Sequence, residues 1–466
     1  MPILWSLKAL RGGPFYKHVI PTVCRAILRH SAGQNSSFTI EFPRRLLSRI
    51  MAMNHTITRR RFLRGALTAA VAPCIIPASA LGADGRPAPS NRITMGFVGV
   101  GGQGSGDMGG VMGFPEVQNV AVCDVDSRAR LGAKQRVERH YAQAKANGTY
   151  QGCADYSDFR ELCARPDIDA VFCATPDHWH ALVTCEAMRN GKDVYCEKPE
   201  SLTIREGRIM IETARRYGRV FSGGSQRVWE DYNWYHKMMW AGTVGELQEI
   251  WVNIGGPSGE MLCPAEPVPE GFDWDMWLGP APWRPYNKAY HPANWRGCRD
   301  FSGGGMTDWG AHHIGGALYA SQLYNKPLPV EVIPPGKDNP HLTFKYANGV
   351  QMHLEGAWGG GPLAFKGTLG EVPDRTRPRT APPAISIPNY KGHGGIFGDF
   401  LHCVKTRERP FRDIEIAHRT VATCHLANIA FWIGRAFKFD PVKEVIIGDE
   451  EANRWIDRPK RAPWIL

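Results

Sequence analysis

Three short stretches of this 466-residue chain carry side chains suited to moving protons beside a bound ligand. Glu197-Lys198-Pro199 places a lysine at the end of an apolar run. A residue before proline is restricted to extended backbone. A cis bond there would aim the ammonium at one point, where a cation stabilises a developing alkoxide; elsewhere a lone lysine is a solvated charge. Gly303-Gly304-Gly305 leads to Asp308 and His312. If that run opens a helix, Asp308 and His312 share a face. The carboxylate then holds the imidazole tautomer and raises its basicity, as a general base for a hydroxyl proton requires. The plain alternative, which spacing alone favours, is a helix-terminal charge and a core histidine. Thr175-Pro176-Asp177-His178-Trp179-His180 ends another apolar run, so Asp177 either caps the next helix, contacts a ribose or does both. His178 and His180 diverge at a helix start with no third ligand adjacent, and no metal site is expected.

A fourth stretch binds rather than reacts. Gly99-Val100-Gly101-Gly102-Gln103-Gly104 follows the run Ile93–Val98, and Asp124 closes the next run, 20 residues after Gly104. Strand, glycine turn and helix start make a cradle for a dinucleotide pyrophosphate. Gly99 serves the tight turn, Gly101 (with Gly102 in the same loop) the approach to the phosphates, and Gly104 close helix packing. The helix N-terminus offers N–H groups to the anion. Asp124 suits a ribose 2′-hydroxyl and points to NAD; Arg128 nearby keeps NADP open.

These residues need a scaffold, and the pattern supplies one. Strands are expected at Ile93–Val98, Val117–Cys123, Ala170–Ala174, Asp193–Cys196 and Arg219–Ser222, alternating with helices near Ser127–Lys145, His178–Arg189 and Ile204–Tyr217. Such alternation makes an α/β fold, a parallel sheet covered on both faces. Beyond Gln226 the texture changes. Longer strands are expected at Gly245–Ile254, Val330–Ile333, Leu342–Tyr346, Val350–Leu354 and Ala364–Thr368, with a hairpin at Asn348-Gly349 and helices at Ile396–Thr406 and Ala417–Arg435. The expected domains are a Rossmann dinucleotide-binding domain over 91–225 and an α+β domain with an open, largely antiparallel sheet over 226–445. A tail follows over 446–466. Nine of the 15 tryptophans fall between Trp229 and Trp309, around an aperiodic stretch, Pro264 to Trp295.

The net charge of +11 does not indicate nucleic acid. Residues 1–80 hold 12 Lys and Arg against Glu41 alone, and the remainder carries 44 charges of each sign, so no phosphate-backbone partner is expected. Thr58-Arg59-Arg60-Arg61-Phe62-Leu63-Arg64, an uncharged run to Ile76 and Ala78-Ser79-Ala80 resemble a twin-arginine export signal. The run is too short to span about 30 Å of hydrocarbon. Residues 1–50 match neither signal nor domain, which makes Met51 or Met53 a candidate start; 81–90 reads as a linker. The expected location is the periplasm, after folding in the cytoplasm. Ten cysteines lie beyond the signal without metal-ligand spacing and are expected as buried thiols.

Taken in order, Gly99–Gly104 with Asp124, Thr175–His180, Glu197-Lys198-Pro199, and Gly303–Gly305 with Asp308 and His312 resemble the Gfo/Idh/MocA oxidoreductases. That family includes glucose–fructose oxidoreductase and inositol dehydrogenase. The likeness runs from Asn91 to Pro441 and includes Ile414–Arg419. It implies Lys198 and His312 flanking the reacting carbinol with Asp308 assisting. It also implies Thr175, Pro176, His180, Glu197, Lys198 and Gln226 at the cofactor, and an open sheet that often builds dimers or tetramers. Trp295 and Arg296 would stack on and hydrogen-bond a hydroxyl-rich ligand. Where many members carry an Asp-containing segment after the histidine, this chain reads His313-Ile314-Gly315-Gly316.

Outside the cytoplasm a dinucleotide enzyme is best served by a redox-neutral cycle and a tightly held cofactor. The first expectation is an NAD(P)-dependent oxidoreductase acting on a carbinol or ketone of a sugar, cyclitol or glycoside. The alternative is an NAD-dependent glycoside hydrolase working by transient oxidation, elimination and hydration. A non-catalytic exported sugar-binding protein is the third reading, and the presence of both Lys198 and His312 counts against it.

Overall fold

The structure, a computed structural model, describes residues 91–355, 362–373, 379–388, 390 and 393–466. The leader, export signal and linker expected over 1–90 lie outside the described residues. Six parallel strands stand in the order β3-β2-β1-β4-β5-β6. They are β1 (Ile93–Val98), β2 (Val117–Cys123), β3 (Ala154–Tyr156), β4 (Ala170–Cys173), β5 (Asp193–Cys196) and β6 (Phe221–Gly223). Every residue of β4 and β5 is buried, as parallel strands covered on both faces must be. The three half-buried residues of β3 are too few to show a period, so sequence reasoning missed it. The strand order reverses between β1 and β4, and ligands of open α/β sheets bind at the carboxyl ends of strands beside such a reversal.

Helices α1 (Gly102–Val111), α2 (Ser127–His140), α3 (Asp177–Arg189) and α4 (Ile204–Tyr217) cover the sheet. The last shows how closely local chemistry fixes an element. Thr203 accepts from the Glu206 N–H, and the Glu206 carboxylate accepts from the Leu202 N–H, closing the first turn. Ile204, Met210, Ile211 and Ala214 face the core. Gly218 stops the helix in the left-handed region at φ 60°.

The second domain is built on an eight-stranded sheet, order β12-β11-β7-β10-β9-β8-β13-β14. Its strands are β7 (Leu247–Asn253), β8 (Glu331–Ile333), β9 (Leu342–Lys345), β10 (Gln351–Glu355), β11 (Leu363–Gly367), β12 (Gly370–Val372), β13 (Phe437–Asp440) and β14 (Val445–Ile446). The sheet is largely antiparallel, as expected, but mixed, because β7 and β10 pair in parallel. Asn348-Gly349 makes the expected turn between β9 and β10, with Gly349 at φ 88°.

Two expectations need correction. The run from Gly303 does not form one helix: α5 (Gly305–Asp308) ends at Asp308, and α6 (Gly310–Ala320) begins after Trp309. Residues 446–466 are not a free tail. Ile446 sits in β14, the Arg205 N–H donates to the Ile456 carbonyl at 3.0 Å, and the Trp464 ring packs edge-on to Trp179 at 4.7 Å. The Pro/Trp-rich stretch forms a small aromatic core of its own, with Phe272, Trp274, Trp277, Tyr286, Tyr290 and Phe301 buried together. It docks on the Rossmann half through Ser127 N–H to Gly271 O (2.9 Å) and Asp273 N–H to Val125 O (3.1 Å).

Candidate active site

A cleft of about 390 Å³ opens at the carboxyl ends of β1, β2, β4 and β5, and the glycine turn forms its floor. Gly99 lies at φ 82°, and a Cβ there would meet the Ala174 carbonyl at 2.6 Å. A Cβ on Gly104 would fall 2.0 Å from the Gly99 carbonyl oxygen, so α1 packs as closely as only glycine permits. By contrast, a Cβ on Gly101 or Gly102 would meet nothing within 4 Å, and both residues line the cleft. The N-cap, Gly101, supplies no side-chain acceptor to the first turn of α1. Its free N–H groups and open glycine surface fit an anionic pyrophosphate.

Asp124 lines the same cleft and accepts from Val100 N–H at 2.8 Å and Asp126 N–H at 2.9 Å. Burial raises its affinity for a proton, while these two N–H donors pull it back. The carboxylate thus pins the glycine turn and keeps lone pairs for a ribose hydroxyl. Arg128, which left NADP open, is turned onto Asp126 in an exposed ion pair at 3.2 Å.

Lys198 stands in the cleft wall beside Thr175, Pro176 and Glu197. The Lys198–Pro199 bond is cis, and the ammonium donates to Asp308 Oδ1 at 2.5 Å. Arg296 Nε donates to the same oxygen at 3.2 Å, and its guanidinium stacks 4.3 Å over the Trp295 ring. Burial works to raise the Asp308 pKa, but the Lys198 ammonium and the Arg296 guanidinium outweigh it and hold the carboxyl below its usual range. Trp295 and Arg296 both line the cleft.

His312 is buried within electrostatic reach of Lys198 and Asp308, but Asp308 does not set its tautomer as expected. The break at Trp309 separates the two residues, and His312 Nδ1 lies 2.8 Å from Ser225 Oγ instead. The Ser225 hydroxyl donates to the Ala311 carbonyl at 3.1 Å. With its one hydrogen committed, Oγ accepts from Nδ1–H, and the free lone pair falls on Nε2. Burial, then the Lys198 and Arg227 cations, lower the His312 pKa to about 2, so the ring is neutral. Ser225, just beyond β6, carried no signal in the sequence, since an isolated serine in a Gly-Gly-Ser-Gln run reads as loop.

Other expected contacts fall elsewhere. His180 does not touch the cleft. Its Nδ1 and Nε2 lie 2.7 Å from the Pro199 and Thr175 carbonyls, so the ring sits between the two loops that carry Lys198 and Thr175 and donates to one of them. Cys173, His180 and Cys196 are the one His/Cys/carboxylate grouping of metal-ligand spacing among the described residues, and all three are buried. Gln226 is also outside the cleft walls, and its carbonyl accepts from Tyr390 OH at 2.9 Å. Asp177 caps nothing: Pro176 is the N-cap of α3, without a side-chain bond, and the Asp177 side chain lines the cleft. Sequence reasoning missed the cover, where Phe272, Met276, Trp277, His291 and Pro292 close the cleft from the aperiodic stretch. At Gly315 and Gly316, where the family's Asp-containing segment is absent, added Cβ atoms would meet Val228 at 2.8 Å and the Tyr232 ring at 2.3 Å. The glycines let α6 press against those side chains.

Residues 93–225 match the oxidoreductase family's NAD-binding Rossmann fold, and residues 248–466 match the family's C-terminal alpha/beta domain. The chain belongs to the Gfo/Idh/MocA oxidoreductase family. The myo-inositol 2-dehydrogenase of Lactobacillus plantarum shares the fold at 18% identity, TM-score 0.52, over 75% of this chain and 100% of that one. GenD2 from gentamicin A biosynthesis, solved in complex with NAD, does so at 17% identity and TM-score 0.51, over 75% and 97%. An alpha-N-acetylgalactosaminidase of Shewanella oneidensis is 30% identical over 177 residues, 35% of this chain and 38% of the relative. The match thus spans about two fifths of that relative's length. Other relatives at similar identity are glycosyl hydrolase family 109 proteins. No described helix is long and apolar enough to cross a membrane.

Proposed function

We propose that this family member oxidises a carbinol of a sugar, cyclitol or glycoside, with NAD as a tightly held hydride acceptor. The observation that carries the reading is the Lys198–Asp308 contact at 2.5 Å: Lys198 stands in the wall of the NAD cleft, and Asp308 and neutral His312 lie behind that wall within its electrostatic reach. A substrate hydroxyl placed there meets the Lys198 ammonium, which stabilises alkoxide charge as it develops. His312 Nε2 takes the proton. Asp308 holds the ammonium in place and fixes Arg296, whose stack on Trp295 offers an amphipathic face to a sugar ring. Export through a twin-arginine signal and assembly through the open sheet of the second domain belong to the same proposal. The test is direct: denature the purified protein and weigh the released dinucleotide, then follow nicotinamide absorbance as sugars and cyclitols are added to the native protein. Released NAD and absorbance changes that vanish in Lys198→Met support the reading; absence of any dinucleotide sinks it.

A second reading is favoured by the relatives named as alpha-N-acetylgalactosaminidase and glycosyl hydrolase family 109 proteins. In it the oxidation is transient. The ketone acidifies the neighbouring C–H, the glycosidic bond is eliminated, water adds and the ketone is reduced again. Aglycone release without added NAD distinguishes it from simple dehydrogenation.

A further inference from the structure

We propose that Asp177 is the acid that delivers a proton to the departing oxygen of a bound glycoside, an inference that rests on the second reading above. Asp177 lies where β4 passes into α3, and it lines the cleft beside Lys198, Trp295 and Arg296. It is 2% exposed, and its Oδ2 has no hydrogen-bond partner. A sealed carboxylate oxygen without a donor is unfavourable. The strain disappears when that oxygen carries a hydrogen and offers it to a ligand oxygen in the cleft. The groups facing it are the Ser302 hydroxyl, the Arg296 and Lys198 cations and the Asp308 carboxylate. Burial pushes its pKa up to about 7; Ser302 and Arg296 pull it back, Asp308 pushes it further up, and Lys198 lowers it. Asp308, in contact with both cations, is held ionised. Two carboxyls of one site whose protonation states are driven apart form the pattern that separates an acid from its neighbour.

The step balances within the second reading. Once the ring carbinol is a ketone, a base of the site removes the adjacent C–H proton, and that electron pair forms a carbon–carbon double bond. The bond from the anomeric carbon to the aglycone oxygen breaks, its electron pair stays on oxygen, and the Asp177 hydrogen joins it. Water then adds to the same carbon, Asp177 recovers a proton from that water, and the base returns its proton to the neighbouring carbon. The ketone then regains the hydride and the proton given up in the first oxidation, so the sum is hydrolysis.

The test compares wild type with Asp177→Asn, full-length and carrying its own cofactor, on one sugar linked to 4-nitrophenol or to methanol. We expect Asp177→Asn to keep nitrophenol release within a few-fold of wild type and to lose methanol release by 10²-fold or more, the usual scale of general acid catalysis. The alkaline limb of the wild-type methyl-glycoside profile should also disappear. Infrared difference spectra across neutral pH give a second readout: beside the band of buried Asp107, wild type shows a titrating carboxyl band that Asp177→Asn lacks. Equal losses on both glycosides, or wild-type and variant spectra that coincide in the carboxyl region, overturn the assignment of Asp177 and leave the hydrolytic reading standing. Wild-type protein that oxidises sugars yet releases neither aglycone overturns both.

Discussion

Replacing Ser225 with alanine tests the tautomer argument at its narrowest point. Ser225 is fully buried, and its Oγ is the partner of His312 Nδ1 at 2.8 Å. Without it, Nδ1–H has no acceptor, and leaving such a donor unmatched costs about 1–3 kcal/mol. The neutral ring escapes that cost by moving its hydrogen to Nε2, the nitrogen that must accept the substrate proton. A preference of that size reversed against the productive tautomer lowers kcat by about 5- to 150-fold. KM should hold, since Ser225 is not a wall of the cleft. Steady-state kinetics on an active sugar supply kcat, and nitrogen-15 shifts of His312 report the tautomer directly. Ser225→Thr, which keeps the hydroxyl, should recover most of the rate. If Ser225→Ala turns over like wild type, or its histidine shifts do not move, Ser225 does not set the tautomer and the reasoning fails.

Lys198→Met should lower kcat by about 10²–10³-fold while leaving the NAD content of the purified protein unchanged; loss of cofactor instead would make Lys198 a binding group rather than an alkoxide stabiliser. Gly101→Ala and Gly104→Ala should separate binding from folding. The first adds a methyl facing open cleft and should weaken NAD retention while leaving the Tm of the cofactor-free protein unchanged. The second drives a Cβ onto the Gly99 carbonyl and should also cost about 1–3 kcal/mol of stability, read by denaturant unfolding. His236 is fully buried between Trp229 and Tyr319, and burial lowers its pKa from 6.5 to about 3. Between those values the unfolded chain binds the proton and the native state does not, so stability falls as pH drops below 6.5. His236→Phe should therefore raise Tm more at pH 5 than at pH 8, a ranking that thermal scans at the two pH values would confirm or reverse.

Much of the scaffold was legible because its signals are local. The Ile204–Tyr217 helix carries its own cap, stripe and stop, and the β1 turn needs glycines at fixed steps. The same holds for Lys198, which a strand end and a proline locate without tertiary information. What stayed hidden depends on approach in space. Asp308 and His312 are four apart in sequence, yet a break at Trp309 gives each a different partner, Lys198 and Ser225. His180 looked like a ligand contact because its position abuts the crevice; only the fold shows its ring lying between two backbone carbonyls. The aromatic cover has no period because it is neither helix nor strand, so tryptophan density was the one trace it left.

The brace formed by residues 456–464 sets an order of assembly. The Arg461 side chain donates to the Gly279 carbonyl at 2.9 Å, and Trp464 leans on Trp179 of α3, so one late segment grips both the aperiodic stretch that bears the cover and a helix of the nucleotide-binding domain. A ribosome delivers the phosphate cradle first, the cover much later and this clamp later still. The cover and its clamp are thus made after the cradle they close, and Trp464 braces the walls only once it has emerged.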